Sequence, residues 1–399
     1  MSASHFFSKD YFQARDRFIK SINELKDQGH QVSHDTLTLD CKGPNQENLC
    51  IDIATIGSID SNNLLLYSSG IHGVEGFAGS AIQLSVLEHL KNTSPITDYC
   101  IVFIHIINPY GMAWHRRVNE NNVDMNRNFI KNHQGEPEGY AKIDTFLNPK
   151  SVPPKLDLMF LPRGISLLLK YGFTNVKQWF AQGQYTRPQS LQYGGDKLQQ
   201  GPKMILDWLK KNLNNTKKVF GIDLHTGLGK SGYDTILVPD DIKEDKYNIL
   251  VSLFGDHVSP LDPTQGVGYR ITGDIHSGIV KEFSSIEWLT ITQEFGTFGP
   301  TTVFKNLRAV FKLETLNILI CSVPPLALLN NNLLLDGKDL SLTINPSMLN
   351  ATALLIIEPI FRGSVTSSNA IKLIFLFLLS ITNSLRVISS RCSTSATKP

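Results

Sequence analysis

The run YCIVFIHIINP, residues 99–109, is apolar along almost its whole length. A strand with one wet face alternates apolar and polar residues, whereas a strand covered on both faces reads as a continuous apolar run. This segment therefore belongs in the middle of a sheet with material packed above and below it. NLLLYSS (63–69), VFGIDLHTG (219–227) and DTILVP (234–239) add further strands, and EWLTITQEFG (287–296) is another β-rich run. TLTLD and LCIDIATIG, at 36–40 and 49–57, alternate as strands about the turn KGPNQEN. Residues 10–28 carry an amphipathic helical pattern, and FAGSAIQLSVLEHL (77–90) reads as a helix directly after NLLLYSS. Strands alternating with helices predict an α/β fold, a mixed, mostly parallel sheet with helices on both faces.

A chain of 399 residues, 41% apolar and 19% charged, has the composition of a soluble globular protein. Its net charge of +2 and the lack of any dense Lys/Arg run argue against nucleic acid as a partner. The five cysteines, at 41, 50, 100, 321 and 392, are odd in number, scattered and without CxxC spacing, which fits a reducing, cytoplasmic setting. Cys41 and Cys50 flank KGPNQEN and could face each other across a hairpin, although nothing else in the chain reads as secreted. The first residues, MSASHFFSKDYFQARDRF, do not read as a signal peptide or an anchor. IKLIFLFLLSIT (371–382) is strongly apolar, but it falls short of the roughly 20 residues a membrane span needs and predicts a buried helix or strand. Residues 130–205, with NPKSVPPK and QYTRPQSLQYGGDKLQQGP, read as long loops and short helices able to wall a pocket.

In sheets of this kind functional groups gather beyond the carboxyl ends of strands, and His72, Asn108, His225 and Glu294 all sit at such ends. His72 and Glu75 lie three apart in the glycine-rich SSGIHGVEG turn after NLLLY. A catalytic zinc is usually held by three His, Glu or Asp ligands with one position left for water. H-x-x-E supplies two ligand candidates, and His225, ending an apolar strand before Thr-Gly, is the natural third. Among its rivals, His105 alternates with apolar residues and reads as a core histidine, and His115 lies beside two arginines that disfavour a dication. His276, in GDIHSG, suits a pocket but not a strand end, and His257 is a further rival.

NPYGMAWHRRVNENNVDMNRNF (108–129) concentrates Arg116, Arg117, Asp124, Asn126 and Arg127 just after a buried strand. Such a loop is ordinarily solvated; here its short amides and guanidiniums suit gripping a carboxylate or an oxyanion. Glu294, in TITQEFGTFG, reads equally as a buried ion-pair partner or as a general base.

The ordered set GIHGVEG, VDMNRNF, DLHTGLG and QEFGT resembles the zinc carboxypeptidases, and most resembles the branch called domain of unknown function 2817, over about residues 10–310. The resemblance implies an α/β/α sandwich holding one zinc ion per chain through His72, Glu75 and His225. It implies that Asp124 orients the first ligand histidine, that Arg117 polarises the scissile carbonyl, that Asn126 and Arg127 hold the substrate's carboxylate, and that Glu294 is the general base. The expected activity is cleavage of an amide or peptide bond next to a free carboxylate by a metal-activated water, with a peptide or N-acyl amino acid as substrate. A deacylase of N-acyl amino acids and a non-catalytic binding protein that kept the fold are the alternatives. The catalytic domain is expected to end near residue 310. Residues 311–399, rich in Leu, Asn, Ser and Ile, form an atypical tail, either a lineage-specific extension or an altered reading frame.

Overall fold

The computed structural model describes residues 3–150, 157–227, 233–261, 269–297, 304–305 and 307–308. The tail beyond residue 310, with its 371–382 run, lies outside the described residues. Chain order begins with α1 (Tyr11–Asp27), β1 (Val32–Lys42), β2 (Asn48–Ile56), β3 (Asn63–Ser69), α2 (Gly76–Leu90) and β4 (Cys100–His105). Then come α3 (Pro109–Ala113), α4 (Tyr140–Leu147), α5 (Phe160–Tyr171), α6 (Phe173–Ala181), α7 (Gln200–Asn212) and β5 (Lys218–Gly227). The described part closes with β6 (Asp234–Val238), α8 (Glu244–Phe254), β7 (Val258–Pro260), α9 (Ile275–Glu282) and β8 (Glu287–Gly296).

The eight strands form one sheet in the order β1-β2-β4-β3-β5-β8-β6-β7. Its centre, β4-β3-β5-β8, is parallel throughout, and the antiparallel pairs are β1 with β2, β2 with β4 and β6 with β8. The apolar run at 99–109 becomes β4, buried at every position between β2 and β3. One face of the sheet, with Leu65, Tyr67, Phe103, Phe220 and Ile222, packs against α1, α2 and α8. The other, with Leu64, Leu66, Val102, Ile104 and Val219, packs against α7 and α9. This is the mixed, mostly parallel sheet with helices on both faces that the sequence predicts.

Local sequence explains the main helices. α1 is capped by Asp10, whose Oδ1 accepts from Gln13 N at 2.7 Å, and it buries Tyr11, Ala14, Phe18, Ile22 and Leu25 at helical spacing. α2 is apolar nearly all round and is correspondingly buried on nearly all sides. Two readings are refined. Residues 130–205 hold three helices, α4 to α6, and the start of α7, more regular structure than their Pro and Gly punctuation suggests. Cys41, Cys50 and Cys100 are free thiols, so the hairpin places no disulfide between Cys41 and Cys50. Among the described residues no helix is long and apolar enough to cross a membrane.

Candidate metal centre

Each strand on the α7/α9 face changes chemistry as it approaches its carboxyl end. Along β3 the inward positions run Leu64, Leu66, Ser68; along β5 they run Val219, Gly221, Asp223, His225. Ser68 and Asp223 are register partners, and Ser68 Oγ donates to Asp223 Oδ1 at 2.6 Å. Asp223 Oδ2 in turn lies 2.7 Å from His225 Nε2. Two residues apart on a strand means the same face, so the D-x-H of GIDLHTG builds this pair without any loop.

His72 arrives from the turn after β3. Gly70 there adopts φ +67, a left-handed conformation that suits glycine. Gly73 serves a different need, since a Cβ on it would sit 2.1 Å from the carbonyl carbon of Gly111. This close approach lets Gly73 N donate to Arg117 O and Val74 N donate to Arg116 O, both at 3.1 Å. Asn108 braces the same junction: its Oδ1 accepts from Gly111 N at 2.8 Å and its Nδ2 donates to Arg117 O at 3.2 Å. The glycines therefore seat the turn against the arginine loop as well as bending it.

The result is a buried group of His72, Glu75 and His225 whose ligand atoms lie within 4.8 Å of one another. His72 Nδ1 is 2.8 Å from Glu75 Oε1, and His225 Nδ1 is 3.1 Å from Glu75 Oε2. Both rings turn their other nitrogen to a carboxylate: His72 Nε2 lies 3.1 Å from Asp124 Oδ1, and His225 Nε2 faces Asp223. An Nε2–H donated to a carboxylate leaves the Nδ1 lone pair free for a metal ion. Despite its short approach to Glu75, His72 Nδ1 makes no aligned hydrogen bond and is a buried polar atom without one among the described residues. Two imidazoles and a carboxylate converging on one point, with one ring nitrogen unsatisfied, fit a metal ion.

The electrostatics agree. Burial alone would raise the Glu75 carboxyl, but the charge of His72 and the hydrogen bond and charge of His225 outweigh it and hold Glu75 well below the usual range. Asp124 is likewise opposed by burial and held far down by His72, Arg117 and Arg127. For His225 burial works against protonation, yet Asp223 and Glu75 raise it well above the ordinary imidazole value. A cluster that holds positive charge this firmly offers the same stabilisation to a cation.

The loop 116–128 is buried rather than solvated, with Arg116, Asn119, Asn122, Asp124, Asn126, Arg127 and Asn128 all inside. Arg117 bridges the site, Nη1 to Glu75 Oε1 at 3.1 Å and Nη2 to Asp124 Oδ2 at 3.2 Å. Asp124 also caps the short turn Met125–Arg127 by accepting from Asn126 N at 3.0 Å. Asn126 Oδ1 accepts from Ile275 N at 3.2 Å, tying the loop to α9. Arg127 donates from Nε and Nη2 to Ala181 O and from Nη1 to Asn126 O, which fixes its plane. Glu294 is buried near the end of β8, in register with His225. Burial raises the Tyr269 phenol, and the charges of Arg127, Glu294, Arg117 and Glu75 all act on it, which places it at the same site.

The rival histidines are occupied elsewhere. His105 is in the core, stacked on Phe18 at 4.3 Å; His115 stacks on Phe77 at 5.5 Å; His257 Nδ1 meets Asp234 Oδ1 at 2.8 Å. His276 packs beside Gly221 and feels the charge of Asp223, but it does not join the ligand group. Sequence reading missed Asp223, Ser68 and Tyr269. The D-x-H spacing on a strand was the available signal for the first, whereas nothing local marks the other two.

Fold and site together define an α/β protein with a candidate mononuclear metal centre at the carboxyl edge of its sheet. The chain belongs to the family described as protein of unknown function DUF2817, whose pattern matches residues 7–316. No curated protein matches. Among solved structures, the chain is similar to thrombin activatable fibrinolysis inhibitor at 12% identity, covering 80% of this chain and 79% of that one, with a TM-score of 0.40. It is similar to carboxypeptidase A from Helicoverpa armigera at 11% identity, 79% and 72% coverage and a TM-score of 0.39. An aspartoacylase family protein from Mesorhizobium loti MAFF303099 is similar at 15% identity, with 72% and 67% coverage and a TM-score of 0.32.

Proposed function

We propose that this chain is a zinc-dependent hydrolase that cleaves an amide or peptide bond next to a free carboxylate. The observation that carries the reading is the convergence of His72 Nδ1, His225 Nδ1 and Glu75, with each ring oriented by its own aspartate. Bound there, zinc supplies Lewis acidity and lowers the pKa of a water molecule. Glu294 takes the proton of the attacking water and returns it to the leaving amine. Arg117, half-buried beside Glu75, stabilises the oxyanion that forms on the scissile carbonyl. Asn126 and Arg127 receive the substrate's carboxylate and align the bond to be cut. Three of the Arg127 donor atoms are anchored to backbone carbonyls, which pre-sets the fork while its further N–H groups remain for a ligand.

Metal analysis of the purified chain tests the reading. About one zinc per chain, lost in His72→Ala and in His225→Ala, is expected. Stoichiometric zinc in both variants would overturn the ligand assignment. Hydrolysis of a panel of peptides and N-acyl amino acids then distinguishes a peptidase from a deacylase.

A further inference from the structure

Seven of the eight exposed large apolar side chains among the described residues fall within Leu158–Phe173. They lie on and beside α5. Leu161, Ile165, Leu168 and Leu169 follow helical spacing along one outward stripe, and Leu158 and Phe173 extend it at either end. Leu169 is 83% exposed and Leu158 74%. The helix is held to the body by a second stripe, where Phe160 packs on Phe146 and Phe304, and Leu167 joins the same cluster. A contiguous apolar surface of this kind marks a docking site.

Charge indicates what docks there. Residues 158–195 contain no Asp or Glu, while Arg163 and Lys170 lie seven apart on one line of α5, and Lys177 follows on α6. Asp157, just before the stripe, pairs with Arg308, and Asp144 on α4 pairs with Arg187. Lys170 lies over the ring of Tyr171 and Lys177 over that of Phe173, which places cation and aromatic surface together at the margin of the stripe. An apolar stripe flanked by Lys, Arg and aromatic rings, with no acid, is the pattern of a helix that lies in the plane of an anionic lipid surface. Two copies packed face to face would instead bring like charges together.

We infer that the α5–α6 hairpin docks this protein peripherally on an anionic membrane surface, with Leu161, Ile165 and Leu169 inserted and Arg163 and Lys170 facing the headgroups. The hairpin also supplies Ala181 O to Arg127, so docking brings the wall of the candidate site close to the lipid.

Vesicle co-sedimentation of the full chain tests this. The protein should pellet with phosphatidylcholine vesicles containing phosphatidylserine, pellet far less with phosphatidylcholine alone, and be released by salt. The double variant Ile165→Gln/Leu169→Gln should lower partitioning about tenfold or more. Arg163→Glu/Lys170→Glu should remove the preference for phosphatidylserine. Both variants should keep their zinc content and melting profile, since every substituted side chain lies on this outer face. Lack of binding to anionic vesicles at low salt overturns the proposal, as does unchanged binding by both variants. A concentration-dependent dimer that dissociates in Leu169→Gln would assign the face to a second copy and also overturn it. The readout is lipid binding, so failure here leaves the hydrolase reading untouched.

Discussion

His225 and Glu294 stand opposite one another in the parallel ladder of β5 and β8, with their side chains on the same face of the sheet. One is a proposed metal ligand and the other the proposed base, and a single hydrogen-bonded register fixes the separation between them. Neither depends on a loop for its position. A site built on strands holds its geometry more tightly than one built on loops.

Because Glu294 is not among the three convergent ligands, its removal separates metal binding from chemistry. Glu294→Gln keeps the size of the side chain and removes its basicity. Zinc content should stay at the wild-type level while kcat falls by roughly 100- to 10,000-fold. Retained activity would exclude Glu294 as the base.

Asp223 offers a test of how the site is supported. Its carboxylate joins Ser68 at 2.6 Å to His225 at 2.7 Å, and it is fully buried. Asp223→Asn preserves the packing but no longer presents an acceptor of full charge to the imidazole. Zinc affinity, measured by competition with a chelator, should weaken about 10- to 100-fold. Asp124→Asn should act in the same direction through His72, and affinity unchanged in both would remove orientation by carboxylates from the account.

How much of this was legible beforehand depended on whether the signal was local. The strand ends, His72, His225 and Glu294 are visible because β-structure buried on both faces leaves a continuous apolar run whose polar terminus stands out, and Glu75 is visible through its three-residue spacing from His72. Asp223 was legible in principle from its two-residue spacing but was hidden inside a strand otherwise read as core. Tyr269 and Ser68 were not legible, since their relation to the site arises only when distant segments meet. The helices α4 to α6 were obscured by Pro and Gly, and the outward stripe on α5 appears only once the structure shows which of its two apolar stripes is covered.

Gly73 tests the coupling between the turn and the arginine loop. A methyl there would lie 2.1 Å from Gly111 C and 2.4 Å from Met112 N, both backbone atoms that cannot step aside. Gly73→Ala should destabilise the fold by about 2 kcal/mol or more and weaken zinc binding, because the bonds to Arg116 O and Arg117 O are disturbed together. Gly164→Ala is the contrast. It lies inside α5, where the methyl would meet only Phe146 Cζ at 3.4 Å, and thermal unfolding should show it neutral or slightly stabilised.

The last prediction concerns acid stability and a histidine far from the metal centre. His105 is fully buried, stacked on Phe18, with Nε2 2.9 Å from Ser80 Oγ. Burial pushes its pKa down from 6.5 to about 4, only partly countered by the charge of Asp52. The folded ring therefore stays neutral while the unfolded one takes up a proton below pH 6.5. Its contribution is fully present above that value and is lost as the pH falls towards 4. The difference amounts to about 3 kcal/mol across the window. Urea unfolding at pH 7 and pH 4.5 should show the loss, and the double variant Ser80→Ala/His105→Leu should lose less stability between the two pH values. Replacing both partners leaves no hydroxyl orphaned in the core. Other groups titrate in this range as well, so the measured quantity is the difference between the wild-type and variant slopes. Equal slopes would mean that His105 is protonated in the folded state, and the acid sensitivity would then belong to another buried group.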